Sequence, residues 1–93
     1  MNEYILILDD LAYIVECLTN DYTGEAKGEL SSLAKLMSQT ELFSTKERDR
    51  MVAIIEGARQ ELVYSNSGAA RSAITTLSRS LWNDFKTRYE ISR

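Results

Sequence analysis

The chain has 93 residues, so it has room for one domain, predicted over residues 1–93, and needs nearly all its apolar side chains for one core. It is 44% hydrophobic and 27% charged, which excludes a disordered chain. The net charge of −3 is unevenly distributed: eight acidic residues against two lysines through Thr45, then nine basic residues against six acidic ones. We therefore expect an acidic half and a mildly basic half.

The residues that are rare or missing also restrict the fold and the location. There is no proline and there are only four glycines, which favours long helices over many short strands. The single cysteine, Cys17, cannot form an internal disulfide. The apolar run at residues 4–8 stops at Asp9 and Asp10, which is too short for a signal peptide or a membrane span. We expect a cytoplasmic protein that does not bind membranes.

The first predicted helix covers residues 2 to about 20, with Asn2 as its N-cap. At 100° per residue, one side of this helix collects seven apolar residues: Tyr4, Ile7, Leu8, Leu11, Ile14, Val15 and Leu18. It is the most apolar helix and is expected to be the most buried. The alternative is a short strand at Tyr4–Leu8, but the helical spacing continues through both aspartates. Residues 21–24 are predicted to form a turn.

The second helix is predicted from about Glu25 to Ser38, and the third from Thr45 to about Tyr64. The third has the best start signal, because residues 44–47 read Ser-Thr-Lys-Glu, the S-x-x-E form of a capping box. Gly57 and Ala58 are small enough to let another helix come close. The inward residues of the two helices are predicted to be Leu30, Leu33, Ala34, Met37, Met51, Ile54, Ile55, Ala58 and Leu62.

The fourth helix is predicted to start after Asn66 or Ser67, either of which can cap it, and to reach about Glu90. Its inward residues are Ala70, Ile74, Leu77, Leu81 and Phe85. Four amphipathic helices with short connections predict an all-α fold, a small four-helix bundle with up-down-up-down topology. The alternative is a dimer of helical hairpins, since chains of this size often complete a core by pairing.

The composition offers little catalytic chemistry. With no histidine and one cysteine, neither a Ser–His nor a Cys–His pair can form, and the commonest metal ligands are missing. Glu25 and Glu29 could face one way, but with Lys27 close by they are interpreted as a solvated helix face. We predict a protein that is not an enzyme, with no catalytic residues, no metal and no cofactor.

Direct nucleic-acid binding is not expected either. The fourth helix carries four bases, Arg71, Arg79, Lys86 and Arg88, but the chain has a sequence pI near 4.9 and would repel phosphates over much of its surface.

The polar side of the first helix is predicted to bind a partner. Asp9, Asp10 and Glu16 lie on this side with Leu6 and Tyr13, and Glu3, Asn20 and Cys17 fall in the same sector. Apolar anchors among carboxylates are typical of an interface for a basic partner. The alternative is that another helix, or the loop at residues 38–44, covers Leu6 and Tyr13. Cys17 is interpreted as a packed small hydrophobe.

The second candidate surface contains Trp82 and Tyr89 on the fourth helix. Trp82 lies about 100° from the centre of the apolar stripe, and Arg71, Ser78 and Lys86 share its flank. It is a boundary residue that either closes the side of the bundle, against the first or third helix, or is presented with Tyr89 to a partner or a second copy.

Together these features predict a non-enzymatic protein-binding inhibitor. An acidic helical bundle can cover the cationic active site of a toxin or nuclease, or act as a phage-encoded blocker of a host nucleic-acid enzyme. In size and charge the chain resembles helical immunity proteins, which implies an immunity or antitoxin role. The alternative is a homodimeric helical adaptor or regulator that contacts nucleic acid through the basic fourth helix.

Overall fold

A computed structural model describes residues 2–89 of the chain. These residues form four α-helices: α1 (Asn2–Thr19), α2 (Thr23–Gln39), α3 (Thr45–Val63) and α4 (Ser67–Arg88). No strand occurs between residues 2 and 89, so the all-α prediction is confirmed and Tyr4–Leu8 is helical. The predicted end of the fourth helix at Glu90 lies outside the described residues.

The helices form a bundle in which each packs mainly on two others. The pairs in contact are α1 with α2, α2 with α3, α3 with α4, and α1 with α4. Glu3, at the start of α1, bonds Thr40 just after α2, and Tyr4 contacts Phe85 near the end of α4. Neighbouring helices therefore run antiparallel, and the predicted four-helix bundle is confirmed.

The core forms where the apolar residues of each helix repeat every three or four positions. α1 contributes six buried residues, more than any other helix within residues 2–89. Three residues predicted to point inward, Leu8, Val15 and Ile54, are only half-buried, because they lie at the edges of their stripes. Every one of the following predicted core residues is buried: Ile7, Leu11, Ile14, Leu33, Ile55, Leu62, Ile74, Leu77 and Leu81.

The helix starts follow the sequence signals unevenly. The capping box of α3 is confirmed: the Glu47 N–H donates to Ser44 Oγ at 3.2 Å, and the Ser44 N–H donates to Glu47 Oε1 at 3.1 Å. Asn2 is wrong as a cap, because it already lies within α1. Asn66 occupies the N-cap position of α4, but its side chain makes no capping bond and donates to Glu61 instead. α2 begins two residues before the predicted Glu25.

A buried tyrosine joins the start of α1 to the end of α4. The Tyr4 side chain is fully buried, and its hydroxyl donates to Asp84 Oδ2 at 2.7 Å and lies 3.0 Å from the Leu81 carbonyl oxygen. Burial, and then the bond to the Asp84 carboxylate, raise the pKa of Tyr4 above its ordinary value, so the hydroxyl keeps its proton. Asp84 in turn pairs with Arg88 Nε at 2.8 Å.

The same arginine holds the loop between α2 and α3. Arg88 Nη1 donates to the Leu42 carbonyl oxygen at 2.7 Å, and its guanidinium lies 4.9 Å from the ring centre of Phe43 and 5.4 Å from that of Tyr4. Phe43 is buried against Tyr4 in an edge-to-face contact. This loop residue belongs to the core although no helical pattern contains it.

α1 and α3 end in the same way, each with a residue in the left-handed conformation. Asp21 and Ser65 both have φ of 63°. The backbone bonds that close the two ends run from Tyr22 N–H to Cys17 O and from Asn66 N–H to Glu61 O, each 2.8 Å. This is the Schellman arrangement, in which glycine is the usual left-handed residue because it has no Cβ.

We expect Ser65→Gly to stabilise the fold by about 0.5–1 kcal/mol, because glycine adopts positive φ without the cost that a serine Cβ incurs. Ser31→Gly, at an exposed helical position of α2, is the control and should lose a similar amount. Urea unfolding followed by circular dichroism measures both, and a loss of stability in Ser65→Gly would contradict the argument.

We expect Tyr4→Phe to destabilise the fold by about 1–3 kcal/mol, because Asp84 loses a buried donor while the ring packing is kept. Tyr22→Phe removes the hydroxyl of an exposed tyrosine and should leave stability unchanged. Equal unfolding midpoints for wild type and Tyr4→Phe would show that the hydroxyl bond has no net value.

Candidate protein-binding surface

The outer side of α1 carries two large apolar side chains that the bundle covers only in part. Leu6 is 58% exposed and Tyr13 is 44% exposed, and they lie seven residues apart, which places them on the same side of the helix. The alternative in which another helix or the loop at residues 38–44 covers them is therefore wrong for the described chain. More than half of Leu6 and somewhat less than half of Tyr13 therefore remain open to solvent.

Carboxylates surround these two side chains. Asp9 and Glu16 are exposed on the same side of α1, and Asp10 is half-buried beside them. We call the surface formed by Leu6, Asp9, Asp10, Tyr13 and Glu16 the acidic face.

No residue of the acidic face forms an ion pair within residues 2–89. The two ion pairs within residues 2–89 join Arg59 to Glu56 and Arg88 to Asp84, and neither touches this face. Its negative charges are therefore available to a partner from outside the chain.

α2 extends the acidic face with a carboxylate that the sequence analysis did not connect with Tyr13. Glu25 is exposed, as the interpretation as a solvated face requires, and it also accepts a hydrogen bond from the Tyr13 hydroxyl at 3.1 Å. Glu29, one turn further along α2, is half-buried and on the same flank by helical spacing. The only sequence signal for this contact is the short turn between the first two helices, which makes them antiparallel neighbours.

Two groups of this surface have shifted pKa values. Burial, and then the negative charge of Asp9, raise the pKa of Asp10 above its ordinary value. An interaction with the Cys17 thiol, and then the bond to Glu25, raise the pKa of Tyr13 to about 12. Tyr13 is therefore a neutral hydrogen-bond donor at physiological pH. The charged form of Asp10 is disfavoured by its surroundings, so a cation placed nearby would stabilise it.

Cys17 lies behind this surface and is not part of it. Its side chain is buried in the core, which confirms the interpretation as a packed small hydrophobe.

The second predicted surface is only partly formed. Trp82 is 47% exposed, and its indole stacks on Phe85 of its own helix, with ring centres 5.6 Å apart and planes 9° apart. Tyr89 is half-buried, with its ring centre 4.8 Å from that of Phe85 and 6.5 Å from that of Tyr4. Tyr89 packs into the aromatic cluster and is the less accessible of the two, whereas Trp82 is exposed. Joint presentation of Trp82 and Tyr89 to a partner stays a prediction.

Sequence reasoning missed other exposed apolar residues. Ile5 borders the acidic face at the edge of α1, and Tyr22 and Tyr64 lie at the ends of the two Schellman loops. Each of the three is an apolar residue outside the apolar stripe of the helix that it lies in or adjoins, and this position in the sequence could have indicated its exposure.

Two further kinds of feature are absent from residues 2–89. Within this part of the chain, no three His, Cys, Asp or Glu side chains group closely enough to hold a metal ion. None of the helices described is both long and apolar enough to cross a bilayer. No protein family, curated protein or solved structure shows a significant similarity to the chain.

We expect Asp10→Asn to be more stable than wild type at pH 7, with the difference shrinking as the pH falls toward the ordinary aspartate pKa of 3.8. A raised pKa means that the folded state holds the proton more tightly, so the wild type loses stability as the pH rises from 3.8 through the pKa of folded Asp10. Asp49→Asn, on the exposed side of α3, is the control. A stability difference between Asp10→Asn and wild type that grows at acidic pH would contradict this prediction.

Proposed function

We propose that the chain is a non-enzymatic inhibitor that binds another protein through the acidic face, in the manner of an immunity protein, an antitoxin or a phage-encoded blocker. Its target is a cationic protein, most concretely a nuclease or similar toxin met in the cytoplasm. The observation that supports the proposal is the exposure of Leu6 and Tyr13 among carboxylates that make no ion pair within residues 2–89.

The acidic face has the two properties that an inhibitor needs. An enzyme that cleaves RNA or DNA carries Lys and Arg to bind phosphate, so carboxylates steer the inhibitor toward its active site and speed association. Large desolvated side chains then slow dissociation, and tyrosine is among the residues that most often supply this energy. Asp9 and Glu16 provide the carboxylates, and Tyr13 provides the large side chain.

Tyr13 is also held in place before a partner arrives. Its bond to Glu25 restricts the ring, so less rotamer freedom is lost when the ring is buried in an interface. A cation placed near Asp10 would relieve the cost that raises the pKa of that carboxyl. Both effects favour binding without any change of the bundle. Trp82 lies on a different helix and provides a candidate second anchor.

The proposal is tested with purified cationic nuclease domains, starting with any encoded beside this gene. Tyr13→Ala should increase the dissociation rate and weaken binding by about 2 kcal/mol, roughly 30-fold, because it removes a desolvated anchor. Tyr64→Ala removes an equally large exposed ring from the end of α3, outside the acidic face, and should bind like wild type. Nuclease assays with and without the chain report inhibition alongside the binding kinetics.

A charge reversal separates steering from contact. Asp9→Lys should slow association and weaken the dependence of the association rate on salt. Asp49→Lys makes the same charge change on α3 and should have a much smaller effect on both quantities. Thermal melts of all four variants allow affinity to be expressed per folded molecule. If Tyr13→Ala and Asp9→Lys bind and inhibit at wild-type rates, the acidic face is not the binding site. If no cationic nuclease binds the wild type, the inhibitor function is wrong.

A further inference from the structure

A groove of ≈520 Å³ runs between α3 and α4, away from the hairpin of α1 and α2 that carries the acidic face. On one side are Arg50 and the half-buried Ile54 of α3, and on the other are small side chains of α4, such as Ala73 and Thr76. The groove is open along its length and mostly apolar. An open apolar groove between two helices fits a helix or a pair of helices better than a small molecule, which is normally enclosed on most sides.

Gly57 stands in the middle of α3 on the stripe that borders this groove. A glycine at such a position costs about 1 kcal/mol relative to alanine. Its φ is not positive, and a Cβ built on it would meet nothing within 4 Å in the described chain. Packing inside the bundle therefore gives no reason for the missing side chain, and it gives none for Gly28 of α2 either. Gly57 differs because it lies in line with Ile54 of the groove, where a small residue lets a second helix approach α3 from outside.

The charges along this stripe are self-complementary. Arg50, Ile54, Gly57 and Glu61 follow each other at intervals of four, three and four residues, so they lie in one line along α3. If a second α3 is laid antiparallel about the point between Ile54 and Gly57, Arg50 faces Glu61 of the second copy. The same arrangement sets Ile54 against Gly57 of the second copy, a large side chain over the smallest residue.

α4 repeats this symmetry on the other side of the groove. Ala69, Ala73, Thr76 and Ser80 have the same spacing of four, three and four, and antiparallel pairing sets small residues against small residues. Arg50 is the first residue of the α3 stripe and Ser80 is the last residue of the α4 stripe, and the two lie together at one end of the groove. Because α3 and α4 are antiparallel and the stripes are equally long, the midpoints of the two stripes lie at the same height along the bundle. A single two-fold axis, perpendicular to the helices, therefore serves both stripes.

We propose that the chain forms a two-fold symmetric dimer in which the α3–α4 groove face packs on the same face of a second copy. The argument rests on the Arg50 and Glu61 complementarity, the groove, and the unexplained glycine. Such an interface uses the same patch on both subunits and closes on itself. It leaves the acidic faces of both copies outward, so the dimer does not depend on the proposed inhibitor function and could carry two partners.

Charge-swap variants of the full chain test the pairing by sedimentation over a range of concentrations. Arg50→Glu and Glu61→Arg should each raise the dimer dissociation constant by about tenfold or more, because like charges then meet at two symmetric positions. The double variant Arg50→Glu/Glu61→Arg should restore dimerisation to near the wild-type value. A wild-type chain that stays monomeric at every concentration overturns the proposal, and so does a double variant as weak as the single ones.

A matched pair of glycine variants tests the close approach. Gly28 lies in α2, is exposed, and has equally open surroundings, so Gly28→Gln and Gly57→Gln should change helix propensity alike. Only Gly57→Gln should abolish the dimer, because its side chain fills the space that the second copy needs. Thermal melts confirm that both variants fold. A Gly57→Gln chain that dimerises like wild type, or a Gly28→Gln chain that does not, overturns the assignment of the interface.

Discussion

The arrangement of this bundle depends on the buried hydroxyl of Tyr4. Helices with smooth apolar stripes can slide or rotate against each other at little cost, and small cores of this kind have few features that select one register. The Tyr4 hydroxyl needs a partner once it is buried, and it finds Asp84 and the Leu81 carbonyl oxygen only at one position of α1 along α4. The bonded register is therefore favoured over its neighbours.

The consequences of this contact extend beyond the two helices. Asp84 orients Arg88, and Arg88 then holds the backbone of the loop between α2 and α3 through the Leu42 carbonyl oxygen. The loop is bound from α3 as well, because Arg48 donates to the Thr40 carbonyl oxygen at 2.8 Å. One end of the bundle is thus tied together by side chains from α1, α3 and α4 acting on a single connection.

The two surfaces proposed to bind partners follow from this same register. α1 is so rich in apolar residues that one side cannot bury all of them, and with Tyr4 turned inward Leu6 and Tyr13 face outward. Each half of the chain folds into one helical hairpin, so the acidic and the mildly basic residues lie on different sides of the bundle. The acidic half forms the face proposed for a cationic partner, and the mildly basic half forms the groove proposed for a second copy.

The sequence by itself determined the elements and the inward side of each helix. Apolar spacing placed 18 of the 21 predicted inward residues correctly, and the Ser44–Glu47 signal gave the start of α3, because both depend on interactions within one or two helical turns. The exposure of Leu6 and Tyr13 on one side of α1 follows from the same periodicity. Such local rules state which way a side chain faces along its own helix, but they do not state what it meets there.

Only the tertiary structure decided which residues from different helices come together. The contact of Tyr13 with Glu25, the burial of Phe43 and the inward packing of Tyr89 all depend on how far apart the helices lie and how they are rotated. The half-exposure of Ile54 beside the groove has the same origin. These distances result from packing whole side-chain surfaces against each other, a property of pairs of helices that the periodicity of a single helix does not contain.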